Sequence, residues 1–209
     1  MPANARISRE DIIKAAFKIV RKGGWAQLSA RSIAKMLKSS TMPIYSQFKT
    51  MEMIEKEVFK KAVALQTKYS REQYTNVPAL NNGIGYVLFA WEEQHLFAAI
   101  NDDKHIPLRI QYRDELFDAH VEELTRNPRM AGISREQLSY FQFLGWAFVQ
   151  GIATLKPWIA VPQGNFDKEK LIELIRDGSK ALTYGFIQNQ SRSLKQKQKS
   201  KSQSEKLKK

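Results

Sequence analysis

The 209 residues, 43% of them hydrophobic, suffice to enclose a sizeable core in one compact domain or two small ones. No cysteine is present, which excludes a disulfide framework, a thiolate metal site and a cysteine nucleophile and fits a reducing cytoplasm. The net charge of +13 is uneven: residues 1–60 carry +7, residues 61–190 carry −1 and residues 191–209 carry +7, so a neutral middle is flanked by two basic ends suited to phosphate.

No apolar run reaches the roughly eighteen residues of a membrane span, and Met1 to Glu10 lack the apolar stretch of a secretory signal. The expected location is therefore the cytoplasm, with no membrane partner. Every recognisable element is helical. Ser8 with Asp11 makes a cap, and the stripe Ile12, Ala15, Ala16, Ile19 and Val20 follows it to a stop at Gly23-Gly24.

The segment Leu28 to Ile54 reads as two short helices joined by a tight turn, with a third at once behind them. The first starts at Ser29, whose hydroxyl caps the opening turn, and keeps Ile33, Ala34 and Leu37 on one face. Lys38, Ser39 and Ser40 break the pattern. The second is expected to take Ser40 as its cap and to carry Pro43 in its first turn, where a missing N–H costs little. Ile44 and Phe48 then point inward, leaving Thr41, Met42, Pro43, Tyr45 and Gln47 outward. Such a layout is that of a helix-turn-helix DNA reader, whose second helix enters the major groove. The alternative is plain core, because an Ala/Ile/Leu-rich helix pair recurs by chance.

Across SREDIIKAAFKIVRKGGW, LSARSIAKML and IYSQF the chain resembles the TetR-like (tetracycline-repressor) family of bacterial transcription regulators, strongly from Ile12 to Phe48 and little beyond Ile54. The resemblance implies backbone contacts from Ser29 and Arg31, a phosphate contact from Tyr45, and base reading by Thr41, Met42, Pro43 and Gln47. Three positions depart from the family pattern. Lys38 stands where a turn glycine is usual, Met42 where a small residue is common, and Met51 where a phosphate-binding lysine opens the next helix, a charge that Lys49 can replace. The DNA-binding set is accordingly Ser29, Arg31, Lys38, Ser40, Thr41, Met42, Pro43, Tyr45, Gln47 and Lys49.

Farther on, a helix from about Thr50 to Thr67 carries Ile54, Val58, Ala62 and Leu65 and links the head to the rest. Asn76-Val77-Pro78 and Asn81-Asn82-Gly83 interrupt the pattern before an apolar helix from Tyr86 to Ile100. Another spans Ile110 to Thr125 and ends at Asn127-Pro128. Ser134 with Gln137 is a capping box opening a helix that is apolar nearly all round, as expected of one touching both its own core and a second subunit. Lys156-Pro157-Trp158 and Val161-Pro162-Gln163-Gly164 form the exit loop. In the final helix, about Lys168 to Gln188, interior Gly178 and Gly185 predict a close helix–helix approach, the alternative being a weakened, kinked helix. Residues 191–209, almost free of apolar side chains, are expected to be disordered, as a solubilising tail or as a flexible arm adding nonspecific DNA affinity.

The expected fold is thus all-α: a helix-turn-helix DNA-binding domain over 1–49, a helical ligand-binding and dimerisation domain over 50–190, and the basic tail. In the resembling family the last two helices of each subunit build a four-helix dimer interface, which here implicates Phe141, Leu144, Phe148, Leu171, Ile175, Gly178, Ala181, Leu182 and Gly185. The body of such proteins holds a small effector. The aromatic density of the middle region offers Phe89, Trp91, His95, Tyr112, Tyr140, Phe143 and Trp146 for a flat or apolar ligand.

No HExxH-like spacing calls for a metal, no cofactor is implied, and neither GxSxG nor GxxxxGK occurs, so an enzyme has little support. Glu92-Glu93 and Glu122-Glu123 are neighbours in sequence that point apart on a helix, and His95, His105 and His120 lack evident partners. The leading expectation is a homodimeric repressor on a palindromic operator in double-stranded DNA, released by a small molecule. A DNA-binding protein whose body contacts another protein is the alternative.

Overall fold

A computed structural model describes residues 7–155 and 167–206. Among them every regular element is helical: α1 (Arg9–Gly23), α2 (Ala30–Met36), α3 (Met42–Gln47), α4 (Met51–Arg71), α5 (Pro78–Glu92), α6 (Gln94–Ile100), α7 (Ile106–Thr125), α8 (Arg135–Thr154) and α9 (Lys168–Lys206), with 3-10 turns at Trp25–Gln27, Asp103–His105 and Pro128–Met130. The chain is all-α, as its periodicity predicts. No described helix is long and apolar enough to cross a membrane. The exit loop expected from Lys156 to Gly164 lies outside the described residues.

Two compact units divide the chain, Met1–Tyr74 with Gly85–Gln111 and Thr75–Ile84 with Tyr112–Lys209. The boundary expected after Lys49 is not where they part, because α1 packs on α4 and α6 as well as on α2 and α3. Three short helices alone bury too little apolar surface to stand apart.

In the first unit, Ser8 caps α1 in a reciprocal box with Asp11, and Gly24 ends it at φ 72°, a left-handed turn that suits glycine. The stripe of α1 supplies Ile12, Ala16 and Val20 to a core completed by Ile33, Ile44, Phe48, Ile54, Val58, Phe59 and Leu96. The Trp25 indole donates to the Ala99 carbonyl at 3.1 Å, and its ring stacks on His105 at 4.6 Å. A Cβ at Gly85 would collide with the Tyr69 carbonyl, so α5 and the end of α4 touch backbone to backbone.

The single helix expected over Tyr86 to Ile100 is broken at Glu93, which takes a non-helical φ of −115° and ψ of 49°. Buried Glu93 accepts from Arg21 Nε on α1 at 2.7 Å, and a second guanidinium nitrogen bonds its other oxygen. Backbone helicity yields there to a buried carboxylate that needs its cation. Asp102 caps the Asp103–His105 turn, so α7 starts at Ile106, four residues before the expected Ile110, with Pro107 in its opening turn.

The second unit overturns another expected break. Asn81-Asn82-Gly83 lies inside α5, which starts at Pro78, because the Asn81 side chain is spent on the loop before it. Its Oδ1 accepts from the Thr75 N–H at 2.7 Å and its Nδ2 donates to the Thr75 carbonyl at 2.9 Å. Ser134 and Gln137 form the expected capping box of α8. Val121, Met130, Leu138 and Phe186 make a core cluster, with the Phe141 ring tilted against Phe186 at 4.7 Å between centroids. A Cβ at Gly178 would strike the Phe148 ring, the close α8–α9 approach that an interior glycine predicts. Gly185 meets nothing within 4 Å.

The segment from Ser191, expected to be disordered, continues α9 to Lys206. No glycine or proline follows Gly185, and extending an established helix through lysine, glutamine and leucine needs no new nucleus.

Candidate nucleic-acid interface

Ser29 Oγ accepts from the Ser32 N–H at 3.1 Å while Ser32 Oγ accepts from the Ser29 N–H at 2.9 Å, so both hydroxyls are committed to starting α2. Ile33 and Ala34 face the core and Arg31 and Lys35 face solvent. Lys35 is a surface cation that the motif does not single out; its place four residues after Arg31, on the same helical face, is the signal for it. Lys38 closes the turn at φ 53°, and Gly is the residue best suited to that conformation. Among the described residues it is the single non-glycine with positive φ.

Thr41, not the expected Ser40, stands at the N-cap of α3, in helical conformation and without a side-chain cap bond. Pro43 in the first turn removes an N–H that would otherwise need a partner, which lets this short helix start uncapped. Ser40 is exposed, and its carbonyl accepts from Ser39 Oγ at 2.9 Å. Ile44 and Phe48 are buried as expected, while Met42 is 77% and Tyr45 55% exposed. Thr41, Pro43 and Gln47 are half-buried. Ser46 Oγ donates to the Pro43 carbonyl at 2.8 Å and is thereby occupied.

Arg9 holds the far end of α3. Its guanidinium lies 4.1 Å over the Phe48 ring, donates to the Gln47 carbonyl at 3.4 Å and pairs with Glu57 at 3.4 Å. Arg31, Lys35, Lys38 and Lys49 are all exposed and form no ion pair among the described residues, in contrast to Lys14, Lys60, Lys61 and Lys104. α3 itself carries no charge. The predicted set therefore falls on one contiguous stretch in which a neutral, exposed helix is preceded and followed by unpaired cations.

The aromatic set expected for a ligand is divided between the two units, three members in the first and four in the second. Phe89 is fully buried in the first unit with its ring edge-on to Tyr69 at 5.7 Å, Trp91 is half-buried, and His95 is exposed. In the second unit Tyr112 and Trp146 are half-buried, whereas Tyr140 is 59% and Phe143 51% exposed. A concavity of about 360 Å³ on α4 is lined by Ala64, Thr67, Lys68, Arg71 and Glu72 and includes none of them.

Two of the histidines, His120 and His105, acquire partners. His120 on α7 lies between amides of two other helices: its Nε2 meets Asn82 Nδ2 of α5, and its Nδ1 is 3.4 Å from Gln142 Nε2 of α8. Burial holds its pKa below the usual histidine value, with Glu123 opposing. Residues 38 and 22 apart in sequence could not be paired by spacing. His105 is buried between Trp25 and Phe59, with Nε2 3.5 Å from Glu55. No cluster of three metal-ligating groups occurs among the described residues.

Of the dimer set, Leu171 and Ile175 are fully buried in the chain's own core and cannot face a second subunit. Phe141 packs on Phe186 and the Phe148 ring covers Gly178, so both are largely spent within the chain. Leu144 and Leu182 are half-buried, Ala181 is exposed and Gly185 is uncovered. An apolar surface exists beside these positions: Tyr140, Phe143, Ala147 and Gly151 along α8, and Leu174, Ala181, Tyr184 and Gly185 along α9. Their spacing of three, four and seven puts each set on one helical face. No family model and no curated protein matches this chain.

Proposed function

We propose that the chain is a sequence-specific, DNA-binding transcriptional regulator of the TetR-like kind, a homodimeric repressor that a small apolar or aromatic ligand releases from a palindromic operator. The observation that carries this reading is the neutral, exposed α3 set between the unpaired cations Arg31, Lys35, Lys38 and Lys49. Unpaired surface cations suit phosphate, and a protruding uncharged helix suits base edges, the division of labour that DNA readers use.

The homodimer is supported by the apolar faces of α8 and α9, where Tyr184 is 69% exposed beside the bare backbone of Gly185. Exposed aromatics next to small residues are what a helix–helix interface between subunits needs. For the effector, the half-buried trio Asn82, His120 and Gln142 supplies hydrogen-bonding groups from three helices within an apolar unit. A second reading, a body that binds another protein instead of a ligand, is favoured by Tyr140 and Phe143 lying open rather than around a cavity.

The test is selection of bound sequences from a random DNA pool at near-physiological salt, with the mass of the free protein determined in parallel. The expected result is a two-fold symmetric motif bound by a dimer. Binding that fades with salt and enriches no motif refutes the reading. A folded double variant Tyr45→Ala/Gln47→Ala that binds the motif normally would show that α3 is not the reading element.

A further inference from the structure

We infer that Met42 reads the 5-methyl group of a thymine in each half-site, an inference that rests on the proposed DNA-binding role and specifies its chemistry. The argument is one of elimination along a six-residue helix, MPIYSQ, which has no arginine or lysine to make a bidentate bond to guanine and, in Gln47, a single amide able to make one to adenine. Ile44 is buried, the Ser46 hydroxyl proton goes to the Pro43 carbonyl, Gln47 is half-buried, and Tyr45 at 55% is less exposed than Met42. What remains most exposed is the Met42 side chain, at 77%, on the first residue of the helix.

A thioether on a flexible chain offers a soft apolar surface without a strong hydrogen-bonding group. In the major groove the one apolar feature of a base edge is the thymine methyl. A surface-exposed methionine costs the free protein some solvent-exposed apolar area, and contact with that methyl removes it from water again. Pro43 beside it is equally unable to donate. The cations at Arg31, Lys35, Lys38 and Lys49 carry no information of this kind, since phosphates are the same at every step.

The test replaces thymidine by deoxyuridine, one position at a time, in the DNA motif obtained by selection, and measures affinity by fluorescence anisotropy. Uracil pairs as thymine does and lacks only the methyl. At one position per half-site the wild-type protein is expected to lose about 4-fold in affinity, and about 15-fold when both half-sites are changed, the loss corresponding to one buried methyl each. Met42→Ala should bind the thymine and uracil forms equally at that position, while Met42→Leu keeps the preference.

Equal binding of every uracil-substituted motif by the wild type overturns the inference and leaves the DNA-reading role standing. A preference that survives in Met42→Ala also overturns it, by assigning the methyl contact to another residue. A pool that enriches no motif removes the underlying reading and this one with it. Because Met42 contributes nothing to the core, its variants are expected to fold like the wild type.

Discussion

Replacing Lys38 by glycine should make this protein more stable. Lys38 sits at φ 53° in the turn between α2 and α3, its side chain exposed, so no packing is lost on truncation. An L-residue in the left-handed region costs roughly 1–2 kcal/mol, and glycine escapes that cost but gives up roughly 0.5–1 kcal/mol of extra chain entropy on folding. The net gain is about 0.5–1 kcal/mol, a rise of about 1–4 °C in Tm for a chain of this size. Lys38→Ala separates the two effects of the change, because it removes the same charge and keeps the Cβ that causes the strain. Thermal unfolding followed by circular dichroism should rank Lys38→Gly above the wild type and Lys38→Ala level with it or below. Both variants should bind DNA more weakly and lower the salt slope by about 0.9, the share of one phosphate contact. Equal stability of the glycine and alanine variants would refute the strain argument.

Gly85→Ala, which drives a methyl into the Tyr69 carbonyl, should cost about 1–3 kcal/mol or more, read as a fall in the urea midpoint, and a neutral result would contradict the backbone contact between α4 and α5. Arg21→Ala leaves the Glu93 carboxylate buried at 6% exposure without its cation and should destabilise more than Arg21→Ala/Glu93→Gln, in which the charge is gone as well. His120 has a folded pKa below its unfolded value of about 6.5, so the unfolded chain binds more protons. Its contribution to stability is complete above that pH and is lost as pH falls below it. His120→Gln should flatten the loss in denaturant midpoints between pH 7 and pH 5.

Where local chemistry decides the outcome, the sequence was legible. Ser8 with Asp11, Ser29, and Ser134 with Gln137 each announce a helix start within four residues, and each is a cap in the structure. Distant partners could not be read in this way. The break at Glu93 depends on Arg21, 72 positions earlier, and the passage of α5 through Asn81-Asn82-Gly83 depends on Asn81 turning back to Thr75. The family resemblance placed Leu171 and Ile175 at a dimer interface, and the sequence could not say whether their own chain or a partner buries them. Aromatic composition is likewise silent about which side of a helix faces out, as Tyr140 and Phe143 do.

The neutral α3 and the exposed apolar faces of α8 and α9 are linked by the arithmetic of recognition. One methyl contact discriminates by only about 4-fold, against the 1–3 kcal/mol of a good bidentate pair, so a single copy reading chiefly through Met42 and its neighbours would be a weak selector. In that role the cations around α3 would sharpen the difficulty, raising affinity for every sequence alike. A two-fold dimer squares the discrimination of each contact without adding a charged reader, and it demands a fixed spacing between half-sites as a further filter. In the proposed role, a protein with this α3 therefore needs a dimer interface more than one with arginine or asparagine at the groove. Charge placed on that interface, as in Phe143→Glu/Tyr184→Glu, should consequently abolish selection of a motif while sparing much of the salt-sensitive binding. Retained dimerisation and motif selection in that variant would show that the faces of α8 and α9 serve another partner.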